Sequence, residues 1–208
     1  MTSVAIIDYG RGNVRSVFNA LDYVGADAVV TDDPAEISNA SHVILPGVGA
    51  FGDAVAEIRA RGLSEVLHRE VSEIGKPFLG ICVGMQVLAT TGYEHGEHSG
   101  LGWIDADVRR IDPGPDSLKI PHMGWNQVDL ESEHPLFAGF NLDDLVFYFV
   151  HSYAVNTLDK HKVLGTCSYG APFICSLAWD NIVTTQFHPE KSQDSGLEVL
   201  KNFISWNP

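Results

Sequence analysis

Two glycines around a cysteine limit the local fold more than any other stretch of this chain. The segment Pro77 to Gln86 reads PFLGICVGMQ. Phe78, Leu79 and Ile81 form an apolar run of strand length and the residues after Gly84 read as a helix, so Cys82 falls at the turn between them. A strand that turns sharply into a helix needs residues without a Cβ at the corner, which Gly80 and Gly84 supply in a GxCxG pattern. The cysteine side chain is then pushed outward. A helix N-terminus just beyond it presents unpaired N–H groups and partial positive charge, a setting that suits a nucleophilic thiolate, and the Val83 N–H is placed to meet a developing oxyanion. The same pentapeptide fits a small buried apolar cysteine equally well.

The surrounding pattern extends this corner into a fold. Ser3 to Ile7 reads as a strand, and Asn13 is positioned to cap a helix with apolar residues at Val14, Val17, Phe18, Leu21 and Val24. Strands at Ala28 to Val30 and His42 to Leu45 alternate with a short helix or turn at Pro34 to Ala40. Helical spacing then runs through Val55 and Ile58, breaks at Gly62, and resumes from Leu63 to Ile74 before Gly75 and Pro77 stop it. The second half differs: Trp103 to Ile111, Gln127 to Leu130, Leu145 to Val150, Val163 to Cys167, Phe173 to Trp179 and Ile182 to Phe187 read as strands with no long helix between them. A last helix carries Ser195 and Glu198 in capping-box spacing, with Leu197, Leu200, Phe203 and Ile204 on one face. These elements predict one α/β domain over residues 1–208: a three-layer, doubly wound, mainly parallel sheet with an antiparallel extension in the C-terminal half.

Composition narrows the partners. Lys and Arg number 13 against 27 Asp and Glu, a formal net charge of −14, which disfavours nucleic acid. The N-terminus has no basic region and only the four apolar residues Val4 to Ile7 before Asp8, and no run approaches bilayer length, so a cytoplasmic location without membrane contact is expected. Three cysteines point to reduced thiols, with Cys167 and Cys175 packing in strands.

Three further stretches carry chemistry. Pro189 holds His188 extended, and in an extended chain Glu190 projects to the same side, where it can fix the imidazole tautomer while the other ring nitrogen meets a thiol. Beside an elbow cysteine this pair is more than a strand-end decoration. Gly47 to Gly52 reads GVGAFG between strand and helix and matches the dinucleotide fingerprint, the rival reading as a nicotinamide-binding oxidoreductase; the acid it requires would be Glu70 or Glu73, both inside a helix. Glu94, His95, Glu97 and His98 match no metal spacing, and Gly92, Gly96 and Gly100 mark a solvated loop. Lys119 to Asn126, KIPHMGWN, lies outside any periodic pattern and reads as a packed loop or as a partner surface anchored by Met123 and Trp125.

Taken together, GICVGMQ, the LPGVG loop and QFHPE resemble the triad-type, class I glutamine amidotransferases. IDYGRGN (Ile7 to Asn13), LPGVGAF, KIPHMGWN, YFVHSY (Tyr148 to Tyr153) and QFHPEKS narrow the resemblance to the glutaminase subunits of imidazole glycerol phosphate synthases, and these motifs span nearly the whole chain. Val83 stands where leucine is more frequent. The resemblance implies that Cys82 attacks the side-chain amide of glutamine, that His188 carries the proton to ammonia, and that Glu190 orients His188. It implies oxyanion stabilisation by Gly47, Val48 and Val83, through a loop whose glycines permit peptide reorientation, and glutamine binding by Gly49, Gln86, Ser152 and Tyr153. No cofactor or metal is implied. The implied partner is a (β/α)₈-barrel cyclase subunit that uses the ammonia to make imidazole glycerol phosphate and aminoimidazole carboxamide ribotide in histidine biosynthesis. Asn13, Pro121, Met123, Trp125, Tyr148 and Lys191 are the interface candidates. Glutaminase subunits serving pyridoxal phosphate or anthranilate synthesis would share the triad but not IDYGRGN or KIPHMGWN.

Overall fold

A computed structural model describes residues 2–115 and 117–208. The first half alternates strand and helix: β1 (Ser3–Ile7), α1 (Val14–Tyr23), β2 (Asp27–Thr31), α2 (Pro34–Asn39), β3 (His42–Gly47), α3 (Phe51–Ala60), α4 (Leu63–Leu67), β4 (Phe78–Cys82) and α5 (Val83–Gln86). A π-helical segment, His68–Glu73, continues α4. β3 and β4 are buried at every position, as strands covered on both faces must be, and so read as nearly unbroken apolar runs. α1 buries Val17, Ala20 and Leu21, and α3 buries Phe51, Ala54, Val55 and Ile58, at the spacing that puts one helix face on a sheet. Gly62, at φ 68°, allows the chain to break between α3 and α4.

The second half contains β5 (Ala89–Gly92), β6 (His98–Ser99), β7 (Ile104–Arg110), β8 (His122–Gln127), β9 (Asp129–Leu130), β10 (Val146–His151), β11 (Tyr153–Asn156), β12 (Val163–Tyr169), β13 (Ala171–Trp179), β14 (Ile182–Thr185) and α6 (Gln193–Ser205). Among the described residues the large sheet runs β2-β1-β3-β4-β14-β13-β11-β7-β5-β6, with β12 and then β9 added beside β13. β2 through β14 are parallel neighbours. Beyond β14 the pairings with β13, β11 and β7 are antiparallel, the extension expected from sequence, and β7 and β5 pair in parallel. α1 packs with α6, while α2 and α3 pack with α4. No described helix is long and apolar enough to cross a membrane.

Several local expectations are revised. The helix after Cys82 is a single turn, because Val87 to Thr91 is rich in β-branched residues and leads directly into β5. Residues 122–126, read as a packed loop or partner surface, form β8 together with Gln127 and pair antiparallel with β10 in a separate two-stranded sheet outside the extension. Its alternation is inverted, with the polar His122 buried and the apolar Met123 and Trp125 exposed, so hydropathy could not reveal it. α6 starts two residues before Ser195, whose hydroxyl donates to the Asp144 carbonyl instead of capping. Asn13 occupies the N-cap position of α1 without a side-chain cap bond.

Candidate active site

The corner at Cys82 is built by backbone contact. Cys82 itself takes the strained conformation, φ 54° and ψ −108°, rare for a residue with a side chain and characteristic of functional turns. The glycines flanking it answer a different need. A Cβ on Gly84 would run into the Leu45 carbonyl of the neighbouring strand, and one on Gly80 would come within 2.8 Å of the Gly84 carbonyl oxygen. Gly84 lets the elbow pack closely against β3, and Gly80 lets the strand pack against the helix that follows it.

β14 delivers the second group. It pairs in parallel with β4 up to Thr185 and Ile81, so the chain beyond it passes beside the elbow. His188 is extended, but Pro189 opens a 3-10 turn, Pro189–Lys191, and this turn rather than a continued strand brings Glu190 back. His188 Nδ1 and Glu190 Oε1 are 2.8 Å apart, both side chains almost wholly buried. Asn13 Nδ2 approaches the same carboxylate oxygen at 3.5 Å, and its own Oδ1 accepts from the Ser16 hydroxyl. Burial pushes the His188 imidazolium down, yet the charge and proximity of Cys82, together with Glu190, outweigh it and lift the pKa to about 10. Among the described residues His188 Nε2 is buried without a hydrogen-bond partner of good geometry, which leaves it facing the thiol.

These groups face a cavity of about 430 Å³, large enough for a single amino acid. Val48, Gly49, Cys82, Val83, Gln86, Ser152, Tyr153 and His188 line it. Gly47 does not: it sits in register beside Cys82, behind the cavity wall. The Gln86 side-chain nitrogen donates to the Tyr153 carbonyl and to Gln186 Oε1, each at 2.9 Å. Gln186 in turn donates to Cys82 Sγ at 3.5 Å. Gln186 was not singled out from sequence, although a glutamine interrupting the strand run Ile182 to Phe187, two residues before His188, is a signal that could have found it; it is fully buried.

Glu94 and His95 lie in the expected loop, between β5 and β6 with His95 exposed, and both also line the cavity. Glu94 Oε2 accepts from the Phe51 N–H at the start of α3, which pulls the loop over the site. The nucleotide reading finds no acid at a strand end: Glu70 is buried between Arg69 (2.7 Å) and Lys76 (2.8 Å) and Glu73 is exposed, both in the helical segment after α4. Of the interface candidates, Pro121 lines the cavity, Met123 and Trp125 are exposed on β8, and Lys191 is exposed at the end of the 3-10 turn after His188. Tyr148 sits across from Trp125 with ring centroids 6.0 Å apart, while Asn13 turns inward to Glu190.

A family model for glutamine amidotransferase class-I matches residues 5–206. An imidazole glycerol phosphate synthase subunit HisH 2 from Nitrobacter winogradskyi is 55% identical over the full length of both chains. The subunit HisH of Caulobacter vibrioides is 46% identical, again over both full lengths. Among solved structures, PurLQS from Thermotoga maritima superposes with a TM-score of 0.76 at 19% identity, covering 98% of this chain and 97% of that one, which bears on the fold alone. A sequence matched at this level from end to end belongs to the class-I glutamine amidotransferase family and, within it, to the HisH subunits of imidazole glycerol phosphate synthase.

Proposed function

We propose that Cys82, His188 and Glu190 form the triad with which this chain, a glutamine-hydrolysing subunit in histidine biosynthesis by its family membership, releases ammonia for a partner subunit. The observation that carries the proposal is the buried 2.8 Å His188–Glu190 pair beside an elbow cysteine at a cavity of amino-acid size. Cys82 Sγ attacks the glutamine side-chain carbonyl carbon, and the oxygen takes up the negative charge near the Val83 N–H and the Val48 segment. His188 Nε2 gives its proton to the departing nitrogen, the C–N bond breaks, and a thioester with Cys82 remains. A water molecule, deprotonated by His188, then cleaves the thioester to glutamate. Glu190 keeps Nδ1 protonated throughout, so Nε2 is always the working atom. Gly49, Gln86, Ser152 and Tyr153 hold the substrate along the wall, and Glu94 supplies the negative charge that its α-ammonium requires.

Ammonia freed into neutral water would be protonated and lost as a nucleophile, so the consuming site should cover this cavity. A (β/α)₈-barrel cyclase forming a heterodimer over Pro121, Met123, Trp125, Tyr148, Lys191 and the Asn13 turn satisfies that need. The test is Cys82→Ala in the assembled synthase. Glutamine-dependent synthesis should vanish while synthesis from added ammonium salts persists; loss of both would make Cys82 a structural residue.

A further inference from the structure

Behind the glycine loop lies a hydroxyl that the chemistry above leaves unused. Tyr9 follows β1 and is fully buried, yet among the described residues its hydroxyl has no hydrogen-bond partner. An unpaired buried hydroxyl is destabilising, and native chains carry few without a reason. Its place is fixed relative to Gly47: a Cβ built there would lie 2.6 Å from the Tyr9 oxygen and 2.8 Å from Gly84 N. Tyr9 does not line the cavity, whereas the next residues, Val48 and Gly49, do. Burial first, and then the charge of nearby Cys82, raise the phenol pKa, so the hydroxyl stays protonated and able to donate.

In a trans peptide the N–H and the C=O point in opposite directions. Turning the Val48 N–H into the cavity therefore sends the Gly47 carbonyl to the back, where Tyr9 stands. We propose that Tyr9 is a positioning residue for the oxyanion loop, donating its hydroxyl to the Gly47 carbonyl when the Val48 N–H turns toward the tetrahedral oxygen. The inference rests on the reading of this loop as the oxyanion site. Gly49, at φ +95°, lets the segment turn without strain at its far end. At rest the hydroxyl is unpaired, and it gains its bond only as the tetrahedral state forms. The interaction is therefore absent from the ground state and acts on the rate.

The test is Tyr9→Phe in the chain assembled with its synthase partner. The kcat for glutamine hydrolysis should fall about tenfold, less than the hundredfold or more that loss of a direct oxyanion donor costs, with KM within about twofold. The melting temperature should hold or rise, because the deleted hydroxyl had no partner. Alkylation of Cys82 by iodoacetamide, which passes through no tetrahedral oxyanion, should keep its rate. An unchanged kcat overturns the proposal, as does alkylation slowing in step with hydrolysis, which would place the effect on the thiol. A melting temperature several degrees lower overturns it too, by making the hydroxyl structural. Hydrolysis surviving Cys82→Ala would instead remove the triad reading beneath it.

Discussion

Free glutamine carries an α-ammonium that must be met by negative charge once water is excluded, and Glu94 is the carboxylate among the cavity-lining residues. Glu94→Gln should raise KM for glutamine roughly tenfold with kcat changed far less, because a contact made equally in ground and transition states is lost. Steady-state kinetics would check this, and a matched fall in kcat with constant KM would contradict it. The proposed triad could be picked out in the sequence because each member sits beside its own local signal: glycines around Cys82, Pro189 between His188 and Glu190. Glu94 could not, since what brings it to the site is an N–H at Phe51, 43 residues away. Tyr9 was hidden for the same kind of reason. Only the packing around Gly47 reveals that its hydroxyl is both buried and unpaired.

At the scale of elements, the parallel strands announced themselves because burial on both faces demands apolar runs, whereas β8 hid behind its inverted alternation. That inversion is itself informative. A strand that buries His122 and exposes Met123 (62%) and Trp125 (48%) leaves large apolar groups for another surface to cover. Interface tryptophans commonly dominate binding energy. Trp125→Ala should therefore weaken association with the partner subunit by about 2 kcal/mol, roughly thirtyfold in Kd, while costing the fold less. Titration of the two subunits alongside thermal melts would decide. Unchanged association with a melted chain would assign Trp125 to folding.

Across the whole molecule, pH acts through buried histidines of opposite sign. His122 Nδ1 and His151 Nε2 lie 3.0 Å apart, and His151 Nδ1 donates to the Tyr153 carbonyl at 2.9 Å, an arrangement that suits neutral rings. Burial pulls the pKa of each down to about 4. An unfolded chain would take up these protons near pH 6.5, so the stability they contribute is full above that pH and is lost as pH falls toward 4. His42 and His134, also lowered by burial, act in the same direction. His188, raised to about 10, runs the other way: its contribution is complete below pH 6.5 and fades as pH rises toward 10. The urea midpoint should thus fall between pH 6.5 and 5, where most carboxylates remain ionised; a flat midpoint would contradict a neutral pair. The α/β class was legible from alternation, but strand order was not, because no local pattern tells β14 to insert beside a strand a hundred residues earlier.

That insertion has a consequence for how the molecule divides its labour. Residues 83–181 are, in sequence, one long excursion between the paired strands β4 and β14, and it extends the same sheet beyond β14 with β5–β7, β9 and β11–β13. The thiol and the imidazole sit on the two sides of this seam, held in step by the backbone bonds of adjacent parallel strands. Gln86, Glu94, Ser152, Tyr153 and the β8–β10 ribbon all belong to the excursion. On the proposed reading, the reacting groups are stitched to one pair of strands while most of the substrate wall and the docking ribbon hang from the detour, so that wall and ribbon can be redrawn without re-aiming Cys82 toward His188.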